Sequence, residues 1–143
     1  DYPDRISLRV LLGPQDDAFT RQGIRTFLSG EYLVTDKADR MGIRLSGEKI
    51  ESKKGVDILS DGIAAGSVQI PASGTPIIMM ADRQTTGGYA KIATVISADL
   101  SRAAQARPGT RIRFVQVTLP EAIRLRKQEE KNRKQLEYEL LYG

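Results

Sequence analysis

Apolar and polar side chains alternate early in the chain. In Ser7-Leu-Arg-Val-Leu-Leu12, Leu8, Val10 and Leu12 are set against Ser7 and Arg9, the period-two pattern of a half-buried strand, and Gly13-Pro14 closes it. Phe19, Gly23, Ile24, Phe27 and Leu28 then recur at helical spacing. Asp16 and Asp17 stand ahead of them, where acids suit a helix N-terminus, and Ser29-Gly30 stops the helix. Tyr32 to Thr35 and Met41 to Leu45 read as short strands around the polar turn Asp36 to Arg40, and the charged stretch Lys49 to Gly55 reads as exposed. Pro76 to Ala81 and Ile92 to Ile96 are apolar runs on either side of a polar loop and predict a hairpin of buried strands. Upstream, glycines break Ser60 to Pro71, and Asp61, Ser67 and Gln69 project from it as a second polar wall.

Ser97 is placed to cap a short helix carrying Leu100, Ala103 and Ala104, which Pro108-Gly109 ends. The next strand, Thr110 to Thr118, shifts its apolar parity from Ile112 and Phe114 to Val115 and Val117, which predicts a bulge or two-sided burial. Glu121 to Tyr142 reads as one helix with Glu129–Arg133 and Glu130–Lys134 in the favoured order. Little in it is apolar between Leu125 and Leu136, so that middle turn should be solvated, while Leu136, Leu140 and Leu141 either pack on a partner or a neighbouring barrel face or fray. Together these elements predict a mainly β protein: an antiparallel barrel over residues 1–118, two or three helices covering its ends, and a C-terminal helix over 119–143.

At 143 residues and 40% hydrophobic, the chain has enough apolar material for one compact domain. It contains no cysteine and no histidine, which excludes disulfides, thiolate or imidazole metal sites, a Ser-His-Asp triad and a Cys-His pair. Any chemistry rests on carboxylates, amines, hydroxyls or groups from a partner, and no metal is expected. The net charge of +4 is spread among interspersed acids, and only 6% of residues are aromatic, so neither a basic stripe nor a base-stacking surface is indicated and no nucleic acid partner is expected. No apolar stretch suggests membrane insertion or a secretory leader, which makes the cytoplasm the default location.

The densest chemistry lies between the two central apolar runs, at Asp82-Arg-Gln-Thr-Thr-Gly-Gly-Tyr-Ala-Lys91. Adjacent glycines at 87 and 88 let the backbone take positive φ and let a ligand approach closely, and Thr85 and Thr86 add hydroxyls. Arg83 has the fork geometry for a carboxylate and Lys91 supplies a compact charge, with Asp82, Gln84 and Tyr89 around them. The same stretch also reads as a plain hairpin connection, with Asp82 and Arg83 paired to each other or to a turn and Gln69 a strand residue facing solvent.

At Gly66-Ser-Val-Gln-Ile-Pro71, Pro76 to Tyr89 and Lys91 to Ile96 the sequence resembles the biotin-dependent carboxyltransferase family that includes allophanate hydrolase subunit 2, KipA and the C subunit of 5-oxoprolinase. Leu8-Arg-Val-Leu, Gly13-Pro-Gln-Asp-Asp-Ala-Phe19 and Asp39-Arg-Met-Gly42 fall in the family's order as well. The resemblance runs from near Leu8 to near Thr118 and covers only the family's C-terminal half. It implies a cyclophilin-like barrel that works beside an N-terminal barrel half, so the chain is expected to be a single-barrel piece that is inactive alone. Ala90 stands where members commonly have proline, and Ala72-Ser73 replaces a more usual Gly-Asp turn.

The implied activity is carboxyl transfer to urea, or ATP-dependent opening of 5-oxoproline in a multi-subunit enzyme. The implied partners are the N-terminal half, a companion subunit of the subunit 1 or KipI type, and biotin carboxyl carrier protein. This chain alone is expected to bind no cofactor, with carboxybiotin on a partner and ATP in the complex. On that reading Arg83 and Lys91 hold carboxylates, Gln69 and Gln84 orient the acceptor, and Asp61 or Asp82 moves a proton. Lys91, Asp61 and Asp82 form the catalytic set, and Ser67, Gln69, Arg83, Gln84, Thr85, Thr86, Gly87, Gly88 and Tyr89 the substrate-binding set. The alternative is a KipA-type regulatory module that antagonises a kinase inhibitor by holding a protein partner.

Overall fold

The computed structural model describes residues 4–54, 61–83 and 86–143. Among them, strands β1 (Arg5–Leu12), β2 (Tyr32–Val34), β3 (Gly42–Ser46), β5 (Ser67–Ile70), β6 (Ile77–Met79), β8 (Ala90–Val95) and β9 (Arg111–Gln116) close a barrel in the order β1-β8-β5-β6-β3-β2-β9. β4 (Asp61–Gly62) and β7 (Thr86–Gly87) form a separate two-stranded sheet. All barrel pairings are antiparallel except β1 with β9, which run parallel and seal the barrel.

Alternation along β1 buries Ile6, Leu8 and Val10 inside, where they meet Ile112 and Phe114 of β9 in the same core. The helix α1 (Arg21–Ser29) closes one end by sending Phe27 onto Phe114, ring centroids 4.4 Å apart. Tyr32, fully buried beside them, donates its hydroxyl to the carbonyls of Glu48 and Thr26, and burial with the nearby Glu48 charge pushes its phenol up to about 12.

Several local expectations are corrected. Asp16 and Asp17 belong to a single 3-10 turn, and α1 starts later because the Thr20 hydroxyl accepts from the Gly23 amide at 2.9 Å. Phe19 forms a lone bridge with Ser52 instead of joining the helix, and Ile50 within the charged stretch is buried in the core. The two central apolar runs do not form a hairpin. β5 lies between β6 and β8 and pairs with both, so two strands that look like sequence neighbours are held apart by a third. β9 is regular through Gln116, and its parity shift arises because Val117 is buried just past the strand while Val115 is exposed.

Helix α2 (Ser97–Ala104) is fixed by a carboxylate that sequence reasoning overlooked. Ser97 does not cap it; its hydroxyl instead donates to Glu129 of α3 (Leu119–Tyr142) at 2.8 Å. The buried Asp99 accepts from the Arg9 amide at 2.8 Å and from the Arg9 Nε and Nη2 at 3.0 and 2.7 Å, with Arg102 Nη1 at 3.7 Å. Burial pushes the Asp99 carboxyl upward, and the hydrogen bonds and charges of Arg9, helped by Arg102, outweigh it, so the net shift is downward. A carboxyl lowered in the folded state stabilises above its unfolded value and loses that contribution as pH falls through the folded value. Asp99→Asn is therefore expected to lower stability at neutral pH by about 2 to 4 kcal/mol, since Arg9 retains some access to water, and to flatten the acid limb of a stability-against-pH curve measured by urea unfolding.

Helix α3 begins with a capping box in which Thr118 and Glu121 satisfy each other's amides, and none of its residues is buried. Lys134 approaches Glu130 at 3.8 Å as its spacing predicted, whereas Glu129 is taken by Ser97. Leu136, Leu140 and Leu141 are exposed. No helix among the described residues is long and apolar enough to cross a membrane.

Candidate functional site

Across β3, β6, β5 and β8, Ile43, Ile78, Val68 and Ala93 stand opposite one another and fill the barrel. The adjacent row is Arg44, Ile77, Gln69 and Lys91, and the pleat of β3, β6 and β5 turns it to the opposite, outer face. That row underlies the site. Lys91 joins it through a register shift: Val68 faces Ala93 but Gln69 faces Lys91, so Ile92 is the extra residue of a bulge. With unbroken register Gln69 would face Ile92, and Lys91 would stand opposite the core residue Ile70.

A cleft of about 310 Å³ lies over this row. It is lined by Gln69, Ile77 and Met79, by Arg44, Gly42 and Met41, by Lys37 and Asp39, and by Gly88 and Tyr89. The Asp39 side chain accepts from the Met41 and Gly42 amides, at 2.8 and 3.1 Å, which folds the Lys37–Gly42 turn over the cleft. Lys37 and Arg44 give the opening a positive bias.

Gln69 is 4% exposed and Lys91 is 2% exposed. Neither the Gln69 Nε2 nor the Lys91 Nζ has a hydrogen-bond partner among the described residues. Buried donors in this state are strongly disfavoured unless something supplies an acceptor, an ammonium most of all. Gln69 lines the cleft, while Lys91 stands beside it on β8 outside the lining. Together with Lys37 and Arg44 they offer donors and positive charge, which suits an acceptor-rich or anionic ligand.

The other predicted residues separate. Gly88 and Tyr89 line the cleft, but Ser67 is buried at the start of β5 opposite Thr94 and is not part of the lining. Asp82 is exposed and pairs with Arg40 at 3.0 Å rather than with its neighbour. Arg83 donates through Nε to the Ile63 carbonyl at 2.8 Å and through Nη1 to the Ala81 carbonyl at 3.2 Å. Those bonds tie the loop to the chain just after β4. Arg83→Lys cannot reproduce both and is expected to lower stability by about 1 to 2 kcal/mol in thermal unfolding.

The backbone of Asp61 pairs with Gly87 and that of Gly62 with Thr86; the Asp61 and Thr86 side chains, and Gln84 and Thr85 altogether, lie outside the described residues. The glycine cradle is corrected. Gly87 is in a strand, and the left-handed glycines among the described residues are Gly13, Gly47, Gly66, Gly74 and Gly109, not Gly88. Pairing with β4 holds this end of the loop extended.

Sequence reasoning missed Arg44, Lys37, Met41 and Met79 as cleft walls. Asp39-Arg-Met-Gly42 had marked that turn as part of the resemblance without giving it a role. The family described as "Carboxyltransferase domain, subdomain A and B" matches residues 1–116. The chain belongs to the carboxyltransferase domain family. It is 46% identical over 128 residues to the C subunit of 5-oxoprolinase from Haemophilus influenzae, covering 90% of this chain and 41% of that protein. It is 38% identical over 133 residues to the corresponding 5-oxoprolinase protein of Escherichia coli, covering 93% and 43%. This carboxyltransferase-family chain thus spans less than half the length of these curated relatives. The crystal structure of the Kluyveromyces lactis urea carboxylase superposes with a TM-score of 0.83 at 23% identity, over 92% of this chain and 12% of that one, a likeness of fold.

Proposed function

We propose that this barrel is the C-terminal half of a 5-oxoprolinase C subunit or of a related biotin-dependent carboxyltransferase, and that it supplies one wall of the substrate site. The observation that carries this reading is the pair of buried donors, Gln69 Nε2 and Lys91 Nζ, left without acceptors at a cleft whose lining includes Lys37 and Arg44. In the opening of a lactam or the carboxylation of an amide, negative charge grows on a carbonyl or carboxylate oxygen. A positioned ammonium and amide stabilise that charge more than they stabilise the ground state.

Lys91 holds that oxygen in this reading, Gln69 orients the acceptor, and Arg44 and Lys37 draw in the anion. Tyr89 and Gly88 shape the wall. Asp82, turned to Arg40 outside the cleft lining, takes no part. In the urea-carboxylating form of the reading, carboxybiotin carried on a partner would supply the carboxyl group, an anion that fits a site made of donors; ATP would be used elsewhere in the complex. The identity with two 5-oxoprolinase proteins favours 5-oxoproline over urea as acceptor.

The reading needs an N-terminal half and a companion subunit of the subunit 1 or KipI type, in the cytoplasm. The test is to assemble the full-length protein with its companion subunits and compare 5-oxoproline-dependent ATP hydrolysis with urea carboxylation in the presence of biotinyl carrier protein. The expected result is 5-oxoproline-dependent hydrolysis by the assembly and none by the 143-residue chain alone. Absence of both activities, with stable capture of a kinase inhibitor, would favour the KipA-type regulatory reading, for which the exposed Leu136, Leu140 and Leu141 of α3 offer a surface.

A further inference from the structure

The bulge that turns Lys91 onto the cleft row needs something to hold it, because a bulged strand leaves backbone groups outside the ladder. The turn after β1 does this. Gly13 donates its amide to the Ile92 carbonyl at 2.8 Å, Gln15 donates its own to the Lys91 carbonyl at 3.0 Å, and the Gln15 side-chain Oε1 accepts from the Lys91 amide at 2.9 Å. Gln15 thus engages both the N–H and the C=O of Lys91, across 76 positions of sequence. No other described side chain is recorded on either group.

We infer that Gln15 is the positioning residue for Lys91, fixing the backbone of the bulge so that Lys91 keeps its place opposite Gln69. The inference rests on the reading of Lys91 given above. Losing the Oε1 acceptor frees the Lys91 amide, lets the bulge slide toward regular pairing, and moves the Nζ relative to the substrate. Methionine at position 15 keeps length and flexibility but accepts no comparable bond; glutamate restores an acceptor oxygen.

The test uses the full-length protein assembled with its companion subunits. Gln15→Met is expected to lower kcat by about 10- to 100-fold, the scale of a displaced catalytic group, with KM changed much less, and Gln15→Glu to recover most of the loss. Gln15→Met/Lys91→Met should be no slower than Lys91→Met alone, because a positioning residue has nothing to position once its target is gone. Independently of turnover, residue-resolved amide exchange should rise at Lys91 in Gln15→Met, stay low at Ala93, and return in Gln15→Glu. Additive losses in the double variant, or unchanged exchange at Lys91, would overturn the assignment of Gln15. If Lys91→Met remains fully active, the reading of Lys91 itself fails and the assignment falls with it. Should Gln15→Met not fold, Gln15→Glu with exchange at Lys91 decides the same question, since protection lost despite an acceptor oxygen would also overturn it.

Discussion

Lys91→Met is expected to remove nearly all turnover from the assembled enzyme while leaving the barrel as stable as before, or more stable. Methionine has almost the shape of the lysine stem, so the packing that leaves Lys91 only 2% exposed survives, and the unpartnered ammonium is gone. Buried charged groups replaced by apolar ones of similar volume commonly leave stability unchanged or raise it by about 1 to 4 kcal/mol. Loss of a single preorganised donor to a developing oxyanion lowers kcat by roughly 10² to 10³-fold. The paired measurement is thermal unfolding of the subunit and steady-state kinetics of the complex. A lowered melting temperature with normal kinetics in the folded fraction would make Lys91 structural and remove it from the reading of the site.

Gly23→Ala should be among the most damaging single changes to folding, against the sign expected from helix propensity. In an ordinary helix interior the substitution stabilises by about 1 kcal/mol. Here a Cβ on Gly23 would be driven into the carbonyl oxygen of Glu51, a backbone atom. That carbonyl already accepts the Thr20 amide at 3.3 Å and the Thr20 hydroxyl at 3.4 Å, so the segment carrying the buried Ile50 is tied to the N-terminus of α1. The added methyl must pry helix and segment apart or break those bonds. A loss of about 3 kcal/mol or more is expected from overpacking with broken caps, read as a shift in the urea midpoint at unchanged slope. A midpoint raised by the substitution would mean that the Glu51 segment moves freely.

Local patterns carried much of this architecture, and nonlocal pairings carried the parts that misled. Leu8 and Val10 against Ser7 and Arg9 announced β1 because period two is a property of one strand alone. Nothing in Pro76 to Ala81 or Ile92 to Ile96 shows that β5 will come between them, since order in a sheet is decided by hydrogen bonds between distant segments. Gln69 stood out in the polar wall before the loop and Lys91 as the charge at the loop's end, yet their shared row depends on the bulge at Ile92. The hold of Gln15 on Lys91 joins segments 76 positions apart in the chain and leaves no periodic trace. Arg83 was misleading for a physical reason: a guanidinium fork suits two backbone carbonyls as well as a carboxylate, and only the fold decides which it meets.

The parallel seam between β1 and β9 has a temporal side. β9 is the neighbour of both β1 and β2, so neither of those strands has its second partner until residues 111–116 are made. About 100 residues separate the end of β1 from the start of β9, roughly 5 to 20 s of ribosomal synthesis. Throughout that interval the growing chain presents unsatisfied strand edges, which after β8 are those of β1 and β2, each a template for pairing with another molecule. Any truncation that ends before Arg111 makes that transient condition permanent, which marks β9 as the point up to which an expressed fragment must extend to remain free of edge-to-edge aggregation.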